Sequence, residues 1–103
     1  MKFFNVLLIA PVLVSATIIK PSTTTNCGNN IGDISACGCT NMRNYNIQSA
    51  RVDFQRATAR FFEKLNCVNP RISVASDQCF RNSNWPRLYS VLICGGTCSN
   101  ACP

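Results

Sequence analysis

Eight cysteines in a chain of 103 residues, all of them behind an apolar leader, restrict the fold more than any other feature. Met1-Lys2 is a short basic start, Phe3 to Val14 is almost wholly apolar, and Val14-Ser15-Ala16 supplies the small residues that a signal peptidase reads. The apolar run is too short to span a bilayer, so residues 1–16 are expected to be a cleaved secretory signal. The expected destination is extracellular, where thiols pair. Cys27, Cys37, Cys39, Cys67, Cys79, Cys94, Cys98 and Cys102 then make an even set, and an even set in a short secreted chain reads as four disulfides. A domain this small buries little apolar surface, and each bridge adds roughly 2–4 kcal/mol, largely by restricting the unfolded state.

The stretch "SACGCTN" places Cys37 and Cys39 one residue apart. A zinc site needs four convergent Cys or His ligands, yet the chain has no histidine and no accompanying CxxC. A redox couple needs a thiol in an electropositive pocket, and nothing in the sequence places one. In an extended strand the two positions share a face, so both sulfurs are expected to enter one core and tie one strand to two other elements. No metal and no cofactor is expected. The chain also lacks adjacent Cys-Cys doublets, which separates it from hydrophobins and plant lipid-transfer proteins.

Without Lys2, nine basic residues, seven of them arginine, face four acids, a net of +5. Such a surface favours acidic partners, among them anionic lipid and cell-wall polysaccharide. Nucleic acid is a weaker expectation, because readout also calls for exposed aromatics between the cations.

Along the chain, residues 17–26 read as a flexible N-terminal arm or short pro-segment, and 27–103 as one disulfide-stabilised domain. Residues 33–40 alternate weakly, as a short first strand does, with Gly38 marking a bulge or close backbone approach. Ile47, Ala50, Phe54, Ala57, Phe61 and Leu65 recur at steps of three and four with no Pro or Gly between, which predicts a long helix. Arg71–Ala75 reads as a strand, Cys79–Arg81 as another, and Pro86–Leu92 as a short helix opened by Asn82-Ser83-Asn84. The tail, CGGTCSNACP, reads as a turn plus an edge strand stapled to the body. Two helices on one face of a small antiparallel sheet follow, an α+β sandwich with the split β-α-β, ferredoxin-like layout.

From Cys37 onward the chain resembles the killer protein 6-like family of secreted cysteine-rich fungal proteins, typified by the alpha subunit of a smut-fungus killer toxin. The matching residues are the CxCT of Cys37 to Thr40, Arg56-Ala57-Thr58-Ala59 in the expected helix, Cys79-Phe80, and Tyr89 before Cys94. The family places a cysteine inside the first helix, whereas Cys67 here follows it. The resemblance implies the pairs Cys39–Cys67 and Cys37–Cys79, leaving Cys27, Cys94, Cys98 and Cys102 to pair among themselves.

Catalysis is not expected, because the usual general base, histidine, is missing and the acids Asp33, Asp53, Glu63 and Asp77 are few. Asp53 with Arg56, and Glu63 with Arg60, are spaced for local ion pairs on a helix. The candidate partner-binding residues are Arg56, Arg60 and Lys64, a row beside the apolar stripe of that helix. Trp85, Arg87 and Tyr89 form a second candidate patch, provided the aromatics are exposed. The expected function is that of a secreted fungal effector or virulence-type protein that binds a host or competitor component. The alternative is a killer-toxin-like antimicrobial protein acting on membranes through its basic helix face.

Overall fold

A computed structural model describes residues 14–42, 46–53, 57–69, 71–82, 84, 85 and 87–103. The chain folds as a β-sandwich. Its strands are β1 (Val14–Ser22), β2 (Ile34–Ala36), β3 (Gly38–Asn41), β4 (Ser49–Asp53), β5 (Thr58–Phe62), β6 (Arg71–Val74), β7 (Gln78–Phe80) and β8 (Ser90–Cys94). Two four-stranded antiparallel sheets result, in the orders β2-β1-β4-β7 and β3-β8-β5-β6. One 3-10 turn, Leu65–Cys67, is the only helical element among the described residues. The expected pair of helices on a single sheet is therefore overturned.

Each strand buries alternate side chains between the sheets, as pleating dictates. From the first sheet come Ile19, Ala50, Val52 and Phe80, and from the second Ala59, Phe61, Val74, Val91 and Ile93; all belong to one core cluster. Thr17 joins the layers, its hydroxyl donating to the Ala57 carbonyl at 3.0 Å and accepting from the Ala57 N–H at 3.2 Å.

The chain passes between sheets at both flanks. β2 is an edge of the first sheet and β3 an edge of the second, and they are separated only by Cys37. On the opposite flank β6 and β7 are joined by residues 75–77. Gly38 follows the first switch at φ 102°, and an added Cβ there would meet nothing within 4 Å. Its role is conformational freedom; of the expected bulge or close approach, the close approach is absent.

The segment expected to be helical divides into β4 and β5. The steps of three and four concealed two alternating runs, Ala50/Val52 and Ala57/Ala59/Phe61, whose members lie in the core while Arg51 is exposed. Phe54 and Arg56 lie outside the described residues. The expected short helix likewise gives way to an irregular connection and β8, a continuous SVLIC run buried at four of its five positions. Such a run is the mark of an inner strand covered on both faces. Residues 17–22, read as part of a flexible arm, are the end of β1, an inner strand paired with β4 from Ile18↔Asp53 to Ser22↔Ser49. The β-branched run Thr17-Ile18-Ile19 favours that state, with Thr17 and Ile19 fully buried.

All eight cysteines are paired, as Cys27–Cys79, Cys37–Cys98, Cys39–Cys67 and Cys94–Cys102. Of the two pairs that the resemblance implied, Cys39–Cys67 is present and Cys37–Cys79 is replaced. Cys37 instead meets Cys98, which is buried in the core. Cys39 is exposed on β3, so the two thiols of the CxC do tie one segment to two elements without entering one core.

Candidate functional site

The basic residues do not form the expected ridge. Arg60 lies in β5 and Lys64 in the bend beyond its end, so the two are not successive positions on one helix face. Arg60 is half-buried; its Nη1 donates to the Pro103 carbonyl oxygen, and its Nε has no partner. Lys64 is exposed, and its carbonyl accepts from the Ser90 hydroxyl at 2.6 Å. Asp53 receives Lys20 Nζ at 3.3 Å and Arg51 Nε at 3.7 Å; its expected partner Arg56 lies outside the described residues. Lys20 and Arg51 are direct partners in the β1–β4 register, so this triad sits on the outer face of the first sheet.

Trp85 is not a free contact residue, because it is partly buried against the core cluster. Its N–H closes a turn onto the Asn82 carbonyl at 2.9 Å. Tyr89 is half-buried, its backbone accepting from Met42 at 2.8 Å and donating to Phe62 at 3.0 Å. Arg87 alone of that trio is exposed. With Arg51, Lys64, Arg71 and Arg81 it belongs to a cationic surface spread over both sheets and their connections. Val68 is the only exposed large hydrophobic residue among those described.

A concave feature among the described residues lies elsewhere, where β2 passes into β3. A partly open cavity of about 180 Å³ is lined by Pro21, Ile31, Gly32, Asp33, Ile34, Thr40, Asn41, Met42 and Ile47. Its walls are set by backbone bonds. The Ile31 N–H donates to the Pro21 carbonyl at 3.0 Å, and the Leu88 N–H to the Ile47 carbonyl at 2.8 Å. In an antiparallel ladder the N–H and C=O of one residue point to the same neighbour. Pro21 therefore lacks its donor on the side facing residue 31, beyond the end of β2, where an inner strand tolerates proline. Asn30 shapes the rim by accepting the Gly32 N–H on its Oδ1 at 3.0 Å. Gly32 then takes φ 143°, which few other residues adopt, and delivers Asp33 to the opening.

Opposite this rim, Asn41 and Asn66 are locked together. Asn41 Nδ2 donates to Asn66 Oδ1 at 3.0 Å, and the Asn66 N–H donates to Asn41 Oδ1 at 2.7 Å. The adjacent Cys39–Cys67 bridge holds the same contact covalently. Sequence reasoning missed this cavity because its residues come from four separated segments. The only local signal was the pair of isoleucines around Gly32-Asp33.

Compared with known proteins, the chain matches no family model, no curated protein and no solved structure.

Proposed function

We propose that this chain is a secreted, disulfide-stapled binding protein of the effector or virulence type, acting outside the cell on a component of a host or competitor. The observation that carries the reading is the combination of four disulfides with a cationic surface. All eight cysteines are consumed by bridges, a use of cysteine suited to an oxidising compartment. The described cationic side chains are exposed or half-exposed, which suits recognition of anionic wall polysaccharide or an acidic protein surface.

The alternative, membrane disruption of the killer-toxin kind, required a basic amphipathic helix. That segment is two strands, and Val68 is the single exposed large hydrophobic among the described residues. The membrane reading loses the basic helix face it was built on.

The test is binding of the oxidised protein to wall polysaccharide and to extracellular host proteins, across a salt series. Binding that weakens steeply between low and physiological salt supports the reading. Growth inhibition accompanied by leakage of anionic vesicles would overturn it in favour of the membrane alternative.

A further inference from the structure

The cavity at the β2–β3 corner makes no use of the cationic surface, and its chemistry is of the opposite kind. Its volume, about 180 Å³, exceeds the roughly 150 Å³ of an apolar cavity that takes up one benzene ring. Pro21, Ile31, Ile34, Met42 and Ile47 supply the hydrocarbon lining. Met42 and Ile47 belong to the core cluster, with Ile31 and Ile34 packed against it.

The polar contribution is narrow. The Asn41 carboxamide is already engaged with Asn66. Among the described residues no lysine or arginine lines the cavity, and Asp33 is the one charged group. Asp33 is exposed and takes part in neither ion pair of the described residues. In a chain with ten basic residues and four acids, a carboxylate left unpaired beside an apolar hollow is a specific arrangement.

We propose that this cavity binds a compact apolar amine: a primary ammonium group on a single ring or branched aliphatic body of roughly six to nine non-hydrogen atoms. The apolar body occupies the space between Ile31, Ile34, Met42 and Ile47. The ammonium pairs with the Asp33 carboxylate at the opening. An anion of the same shape meets repulsion from Asp33, and a neutral isostere gains only the apolar contact.

The experiment titrates the full, oxidised, ¹⁵N-labelled protein with phenethylamine, and in parallel with 2-phenylethanol and 3-phenylpropionate, following backbone amide shifts. The expected result is saturable shifts at Ile31, Ile34, Met42 and Ile47 with phenethylamine, at a Kd of about millimolar for so small a ligand. 2-Phenylethanol binds more weakly and 3-phenylpropionate weakest. Asp33→Asn lowers phenethylamine affinity about threefold to fivefold, the range of an exposed ion pair, and leaves 2-phenylethanol binding within about twofold. Shifts that do not saturate or spread away from these amides would overturn the proposal. So would 3-phenylpropionate binding as tightly as the amine, a comparison that needs no variant.

Discussion

Phe61 on β5 stacks against Phe80 on β7 with ring centroids 4.6 Å apart and planes within 13°, so one aromatic pair spans the space between the two sheets. Both rings are nearly or fully buried, and offset stacking adds to their area burial. Phe80→Ala should cost about 3–5 kcal/mol and Phe80→Leu less than about 1.5 kcal/mol. Urea denaturation under non-reducing conditions checks both values. A loss below about 1 kcal/mol for Phe80→Ala would mean that this pair does not hold the layers together.

Thr17 supplies a second tie between the layers, through one hydroxyl that serves both backbone groups of Ala57. Thr17→Val keeps the shape and leaves a buried donor and acceptor unpaired, a loss of about 2–4 kcal/mol. Thr17→Ser, which keeps the hydroxyl, should recover more than half of that in the same thermal or urea experiment.

The bridges should differ in worth according to the loop that each closes. Cys37–Cys98 spans 61 residues and Cys94–Cys102 only 8. Chain entropy then predicts about 4 kcal/mol for the first and about 2.5 kcal/mol for the second. Paired Cys→Ala variants, each lacking one bridge, should therefore rank in that order by Tm.

Asp53 offers a contrast. Its pairs with Lys20 and Arg51 are at the surface, the side chains of Lys20 and Asp53 each 36% exposed. Asp53→Asn should change stability by less than about 1 kcal/mol, and by less still at high salt.

Strands were legible where alternation was short and bounded by turn residues, as at Arg71–Val74 and Gln78–Phe80, and the cysteine framework announced itself by count. The β4–β5 pair was not legible. Residues 54–56 carry no Gly or Pro to signal a turn, and the two inward runs on either side are out of phase by an odd step. Together they imitate a helical stripe, and nothing local opposes that reading, because pairing with β1, β7, β8 and β6 is what selects the strand state. Once the helix is gone, the alignment of Arg60 with Lys64 goes with it, since it existed only by helical spacing. The cavity was hidden for a different reason. Pro21, Ile34, Thr40 and Ile47 become neighbours through sheet order alone, and the sequence shows that order only faintly, through proline and glycine at its corners.

β1 also bears on how the backbone around Ala16 can be reached. The strand runs through the Ala16–Thr17 bond, with Val14 opposite Ala36 and Ile18 opposite Asp53. A peptidase takes its substrate as a free extended segment, and this one is committed to two neighbours once the first sheet has formed. A cut at that bond after folding would require withdrawing an inner strand from a sandwich locked by four bridges. A protease would reach the Ala16–Thr17 bond far more readily before β1 docks than after the first sheet has closed.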